Sequence, residues 1–339
     1  MNAVLCEGWD GWRALRLADV PVPELRPGCV RIAPSYAGVS FAQLLMAQGK
    51  YQRRPPLPFV PGTEVSGTVL EVAPDVTDLR PGDRVAGGID WGGYGQEAVG
   101  TAETLWRVPD GLSLRDATSV PLTYGTAYAA LHWRAQLRAG ESLLVFGAAG
   151  GVGIPAVELG RIAGAEVIAV ARTADRLQLA LERGARHGLL ASDPDLVARL
   201  KALTGGRGVD VLFDPVGGDL FEAGLRAMAP MGRLLAIGYA SGRIPQVPSN
   251  LLLVKNLDLI GFNFGNYLGW SPIDERKRHA PRLREMAQQL FTLAVQGQIK
   301  PAAATCWPLA DFQQAYAAVE ARQSTGRVLI EIAPEPGRA

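Results

Sequence analysis

Three textures of apolar and polar positions follow one another along the chain, and each predicts a different kind of structure. From Gly8 to Val108 the apolar runs are short and broken by Pro and Gly, as in VPVPELRPGCVRI, FVPGTEVSGTVLEV, LRPGDRVAG and GGYGQEAV. Punctuation at that frequency predicts a small, twisted, β-rich domain. Between Gly111 and Gly140 the segment DATSVPLTYGTAYAALHWRAQL carries Ala, Leu and aromatic residues at helical spacing, which predicts a helical joint between two domains. From Ser142 to about Phe264 the runs SLLVF, EVIAV, HGLL, VDVLF, RLLAIG and LDLIGF alternate with amphipathic stretches such as DRLQLALERG. That alternation predicts a parallel sheet covered by helices on both faces. The tail from Ala280 to Ile332 returns to a long helical pattern, a shorter one at DFQQAYAAVEAR and a final strand RVLIEI, and is expected to fold back onto the first domain. The Pro-rich stretch from Ser241 to Asn250 reads as a surface crossover, and no repeat or low-complexity tract interrupts the pattern.

The chain declares a ligand most plainly at Leu143–Gly153, LLVFGAAGGVG, which runs on into the small-residue helix IPAVELGRIAG. Gly147, Gly150 and Gly153 let the backbone turn sharply after a buried strand. The following helix would point unpaired N–H groups and its positive dipole end at the space they leave, which suits a pyrophosphate. A glycine triplet alone fits a tight turn equally well. Here strand, turn and helix stand in order, and a second strand, Glu166 to Ala171, arrives where a βαβ unit places it.

Composition narrows the partners. With 339 residues, 48% apolar and 20% charged, the chain can bury two cores. Lys and Arg number 34 against 33 Asp and Glu, so no broad basic field exists to attract nucleic acid or anionic membrane. No stretch approaches the roughly 20 apolar residues of a membrane span, and the opening MNAVLCEGWDGW lacks the pattern of a signal peptide, so a cytoplasmic protein is expected. Cys6, Cys29 and Cys306 are too few and too scattered for a disulfide framework.

The order of motifs PVPELRPGCVRI, GVSFAQLLMAQGKY, PGTEVSGTV, PGDRVAG, GGYGQEAV, PLTYGTAYAAL, FGAAGGVG and TGRVLIEI resembles the medium-chain dehydrogenase/reductase superfamily, and within it the zinc-free quinone oxidoreductase branch. The resemblance covers nearly the whole chain. It implies an α/β protein in which a GroES-like β-rich catalytic domain, residues 1–119 and 267–339, is interrupted by a Rossmann domain, residues 120–266, with a doubly wound parallel sheet. It also implies NADPH in the cleft, and a homodimer formed through the last Rossmann strand, here near Leu257 to Phe264.

Zinc-dependent relatives carry a Cys and a His where this chain has Ser40 and Thr63, and four close cysteines where Gly87 to Glu103 has none. A catalytic zinc needs about three side-chain ligands and an open position, so no metal is expected. Without a Lewis acid the fitting substrate is a quinone or an α,β-unsaturated carbonyl, whose conjugation already stabilises the charge that hydride addition creates. After the second Rossmann strand the chain reads Ala171-Arg172-Thr173 and then Arg176, where NAD enzymes place an acid. An arginine fork there favours the 2′-phosphate of NADPH. Ala191 replaces a Tyr that some relatives use nearby, and Arg322 matches another basic contact of relatives.

Tyr51 ends SFAQLLMAQGKY, which resembles the NxSDxNxxxGxY pattern of enoyl thioester reductases, where the Tyr is the proposed proton donor. Here Ser40 stands for the Asn and Gln43 for the Asp. A phenol with pKa about 10 is protonated at neutral pH and can serve an incipient oxyanion; it can equally be a packing residue. Thr63, Thr123 and Thr126 could reach the nicotinamide, its ribose or the diphosphate. Gly147, Ala149, Gly150, Gly151, Val152 and Gly153 would cradle the cofactor, with Gly238, Tyr239, Phe262 and Asn263 at strand ends beside it. Leu45, Trp91, Tyr94, Tyr267 and Trp270 are expected to line the substrate cleft, since flat apolar substrates favour aromatic walls.

The resulting expectation is a zinc-independent, NADPH-dependent oxidoreductase acting on a quinone or enone, homodimeric, with no nucleic-acid or membrane partner. Two alternatives stay open: an enoyl thioester (acyl-CoA or acyl-carrier) reductase, for which Arg53 and Arg54 beside Tyr51 speak, and a non-enzymatic NADPH-binding protein with a structural or regulatory role.

Overall fold

In a computed structural model of the protein, which describes residues 1–301, 303–322 and 325–335, the chain sorts into two units. Met1–Gly125 joins Gly265–Ala339 in one, and Thr126–Phe264 forms the other.

The first unit opens with an antiparallel pair, β1 (Asn2–Leu5) and β2 (Arg16–Asp19). The long β3 (Cys29–Val39) then pairs antiparallel with both β4 (Glu64–Val72) and β6 (Ala98–Thr101), while β5 (Arg84–Gly88) bridges β4 to β7 (Leu105–Arg107). Val30, Ile32, Val65, Val69 and Val85 from these strands meet Tyr94 and Tyr316 in one buried core. The Pro and Gly spacing of the sequence thus marks strand ends, as expected of a β-rich domain.

In the second unit the chain lays down β8 (Ser142–Phe146), β9 (Glu166–Ala171), β10 (His187–Leu190), β11 (Val209–Asp214), β12 (Met228–Ala236) and β13 (Asp258–Gly261). All are paired parallel, in the order β10-β9-β8-β11-β12-β13. Every residue of β8 is buried, because a central parallel strand meets helices on both faces. The tail then adds β14 (Ala303–Pro308) parallel to β15 (Arg327–Glu331), and β15 closes antiparallel onto β3, so the C-terminal segment belongs to the first unit's sheet.

The helical pattern between Gly111 and Gly140 is not one helix. A short helix at Leu114–Ala117 gives way to π-type turns at Val120–Tyr124 and Ala129–Arg134, on either side of an α turn at Gly125–Tyr128. Pro121 has no N–H to give to the i−4 carbonyl, so an ordinary α register cannot run through it. Such wide turns recur at functional sites, and this one carries Thr123.

Candidate active site

The glycine turn, the arginines after the second strand and the Gly238 loop sit at the carboxyl ends of the parallel strands, where an open α/β sheet binds ligands. After Phe146 the backbone turns at Gly147 with φ 59°, and the Gly150 amide donates to the Gly147 carbonyl at 2.8 Å. The helix Gly153–Ile162 starts against that turn: a Cβ at Gly153 would strike the Gly147 carbonyl and Ala148. Its N-cap, Val152, gives no side-chain hydrogen bond; the Ile154 amide is taken by the Gly150 carbonyl at 3.1 Å and Pro155 has no N–H to offer. Gly147, Gly150, Gly151 and Val152 keep partial exposure, whereas Ala149 and Gly153 are buried beneath the turn.

Arg172 and Arg176 flank the start of the helix Ala174–Glu182, directly after β9. Arg172 is exposed and Arg176 half-buried. Burial, and then the charge of Arg172, pull the Arg176 guanidinium below its usual range. Between them stands Asp175, which the sequence reading passed over; its carboxylate is held low chiefly by the Thr173 hydroxyl.

Further along the same sheet edge, Asp214 ends β11. Its carboxylate accepts the amides of Val216 (2.7 Å) and Gly217 (3.0 Å), and its carbonyl accepts the amides of Ile237 and Gly238. The loop holding Gly238 and the exposed Tyr239 is thereby tied to the β11 end. Phe262 is buried and stacks on Phe264 at 6.4 Å between ring centroids, leaving Asn263 exposed between them.

Burial pushes the Asp214 carboxyl up from the usual 3.8 to about 6, against the pull of the two amides. Between those pH values the folded protein keeps a proton that the unfolded chain releases. Its contribution to stability therefore falls as pH rises from 4 to 6 and is then a constant cost, about 3 kcal/mol from a shift of about 2 units. Asp214→Asn keeps the oxygen that both amides use and removes the charge. The urea midpoint of this variant should match wild type at pH 4, rise above it through pH 6, and keep a steady advantage to pH 8. An advantage that does not change with pH would contradict the assignment.

In the first unit the helix Phe41–Ala47 and the start of β4 bring polar groups together inside the core. Ser40 precedes that helix, is partly exposed and gives no capping bond. Gln43 is 2% exposed; its amide donates to the Thr63 hydroxyl at 2.9 Å, and its carbonyl accepts from the Gly62 amide at 3.4 Å. The neighbouring Glu64 accepts from the Thr123 hydroxyl at 2.6 Å and pairs with the guanidinium of Arg327 on β15. Thr123 has thus spent its proton, and its oxygen lone pairs are what it offers to a ligand. Glu64 and Arg327 were not singled out from sequence. Alternation gave no signal for them, since the core positions of β4 and β15 are Val65, Val69, Val328 and Ile330, and both charges fall on the other face of those strands.

Tyr51 follows the helix Phe41–Ala47 in an irregular loop and is half-buried against the core of its unit. Burial raises its phenol above the usual range and the charge of Arg53 opposes that rise, so it is protonated at neutral pH. Trp91 is also half-buried, with the Arg53 guanidinium 4.9 Å from its ring centre. Leu45 is partly exposed on the same helix that precedes Tyr51. Trp270 is partly exposed near Gly88, and Tyr267 rests on His279 at 4.8 Å.

Tyr94 stands apart from these expectations. It is 0% exposed, packs edge-on to Tyr316 and gives its hydroxyl to the Gly38 carbonyl at 2.9 Å. Its phenol is a core group, because a ring packed among the first unit's core side chains with its hydroxyl spent on a backbone carbonyl has no face left for a cleft. Thr126 lies in the second unit at the α turn, partly exposed, and Arg322 is exposed with φ 53° after the helix Phe312–Glu320. Among the described residues, no three His, Cys, Asp or Glu side chains come together as a metal site, and no helix is long and apolar enough to cross a membrane.

Comparison with known proteins agrees with this anatomy. Residues 26–110 match the alcohol dehydrogenase GroES-like domain, and residues 151–278 match the zinc-binding dehydrogenase family. The chain is 37% identical to quinone oxidoreductase-like protein 2 of Rattus norvegicus over 94% of its own length and 89% of that protein. The crystal structure of Escherichia coli quinone oxidoreductase complexed with NADPH superposes with a TM-score of 0.89 at 28% identity, over 98% of this chain and all of that one. A similar stretch lies within polyketide synthase GfsB of Streptomyces halstedii, 36% identical over 91% of this chain but only 5% of that protein. The chain belongs to the medium-chain dehydrogenase/reductase superfamily, in its quinone oxidoreductase branch.

Proposed function

We propose that the protein is an NADPH-dependent oxidoreductase that reduces a quinone or another α,β-unsaturated carbonyl. The observation that carries this reading is the helix start behind the Gly147–Gly153 turn, which has no side-chain cap, with two arginines, Arg172 and Arg176, at the start of the helix that follows the next strand. A helix start behind a glycine turn suits a pyrophosphate, and two arginines after the second strand suit a phosphate dianion that an NAD site would repel. The likeness to a quinone oxidoreductase solved with NADPH supports the same cofactor.

NADPH, when bound, supplies the hydride. The chain supplies placement. Gly147 to Gly153 would hold the pyrophosphate, Arg172 and Arg176 the 2′-phosphate, and Gly238, Tyr239, Phe262 and Asn263 the strand-end side of the cofactor; Thr123, Thr126 and Arg322 are further contacts in this reading. Leu45, Trp91, Tyr267 and Trp270 are the proposed walls for a flat substrate, with Ser40 and Thr63 near the head of the helix that leads to Tyr51. Hydride arrival at an enone β-carbon leaves an enolate, and arrival at a quinone leaves a hydroquinone anion; each then needs one proton. The Tyr51 hydroxyl is the group proposed to deliver or share it.

The reading is tested by NADPH oxidation against a panel of quinones, enones and an enoyl-CoA. Turnover with quinones or enones supports it, and NADPH binding without turnover on any of them overturns it. An enoyl thioester reductase is a second reading, which the likeness to a polyketide synthase segment favours. In that case the enoyl-CoA is the best substrate, and exposed Arg54 is the residue available for its phosphates, because Arg53 is already bound to Asp90.

The β13 edge, with Leu259 40% exposed, carries a further proposal, that two copies pair there. Leu253 and Val254, on the helix Ser249–Lys255 that precedes β13 in the chain, are each more than 75% exposed and are further apolar surface of this unit. Light scattering at micromolar concentration should give twice the 36.1 kDa of one chain. Leu259→Lys should return the mass of a single chain, and a wild-type monomer would refute the pairing.

A further inference from the structure

We propose that Asp90 is a positioning residue for Tyr51: through Arg53 it fixes the irregular loop that carries the tyrosine, and through Arg276 it ties that loop to a buried helix start. The inference rests on the reading that Tyr51 serves the oxyanion. Between Lys50, whose amide caps the preceding helix on the Leu45 carbonyl, and Phe59, which exchanges two backbone bonds with Cys6, the loop forms no regular structure. The polar anchor inside that span is the Arg53 side chain. Its Nη1 lies 2.9 Å from Asp90 Oδ1, and its guanidinium covers Trp91.

Asp90 is not an incidental surface partner. The same oxygen receives Arg276 Nη2 at 3.1 Å, and Arg276, 8% exposed at the first position of the helix Arg276–Val295, is held in turn by Asp274 at 2.9 Å and the Thr101 hydroxyl at 3.0 Å. Burial pushes the Asp90 carboxyl up, yet Arg53 and Arg276 together hold it below the usual range, so it stays ionised wherever the enzyme is folded near neutrality. Charge-assisted bonds in a half-buried setting are stronger and more directional than a surface pair. A tyrosine two residues from such an anchor is held in place, whereas one on a free loop of Pro and exposed polar residues would sample many positions. Near-attack geometry tolerates little of that sampling.

The test is a double-mutant cycle with an enone. Arg53→Met keeps the stem over Trp91 and leaves the Asp90–Arg276 pair whole; Asp90→Ala cuts both links, and Arg53→Lys is the conservative replacement. Arg53→Met and Asp90→Ala should each lower kcat about tenfold while Tyr51 is present, and less than about twofold when Tyr51→Phe is already in place. Arg53→Lys should recover part of kcat, and the NADPH Kd should not move. Limited trypsin cleavage after the exposed Lys50 at the start of the loop should speed up in both loss variants of the intact protein. Equal losses with and without Tyr51, or unchanged cleavage after Lys50, would overturn the positioning role and leave Tyr51 as donor. Full kcat in Tyr51→Phe alone would instead overturn the donor reading itself.

Discussion

Replacing Tyr51 with Phe should lower kcat for an enone by about 10²-fold, within the range general acid assistance contributes. The ring stays in place against the core, so packing and cofactor affinity are preserved and only the hydroxyl is lost. A quinone should suffer much less, by about tenfold or under, because its reduced anion is better stabilised and demands less of a donor. Burial keeps the phenol above its usual range despite Arg53, so wild-type enone turnover should hold its plateau past pH 10, where an exposed tyrosine of pKa about 10 would already have ionised. Stopped-flow measurement of the first turnover with each substrate checks both statements. Equal kcat for wild type and variant on the enone would make Tyr51 a lining residue, with protons taken from water.

The second large effect concerns the cofactor. Charge-assisted hydrogen bonds are worth about 1.5–3 kcal/mol each, so removing Arg172 and Arg176 together should weaken NADPH by about 10² or more and NADH hardly at all. Arg176 should account for more of the loss, since it is half-buried and already pays for its position beside Arg172. Arg172→Ala alone should cost about tenfold. Fluorescence titration with both dinucleotides measures this directly. Equal losses for NADPH and NADH would mean that the arginines support the helix Ala174–Glu182 rather than a phosphate. Replacing Asp175 with Asn is a useful companion, because it removes a negative charge from the same helix start and should tighten NADPH modestly.

Much of this molecule is legible in one dimension because its elements obey short periods. Continuous apolar runs such as EVIAV become buried strands because each is long enough for one pass of the sheet, and β9 begins and ends where the sequence reading puts it. Gly153 is legible for a related reason: at that point a helix must touch a strand turn, and only a residue without a Cβ can be there. The stretch from Gly111 to Gly140 is read less well. Its helical spacing is real, but Pro121 and the requirement to bury Thr118, Ser119 and Thr123 break it into turns of different width.

What the sequence by itself determined is therefore the two-domain α/β plan, the glycine turn ahead of the helix Gly153–Ile162 and the charge placed after the second Rossmann strand, all of which depend on neighbours within a few residues. The tertiary structure alone decided which polar groups meet. Glu64 finds Thr123 and Arg327 across gaps of 59 and, by subtraction, 263 positions, Asp90 gathers Arg53 and Arg276 from either side of it, and Tyr94 is drawn into the core although it reads as a cleft aromatic. Such pairs are selected by burial: a charge or hydroxyl removed from water must find its partner wherever the fold brings one, and sequence distance places no limit on where that is.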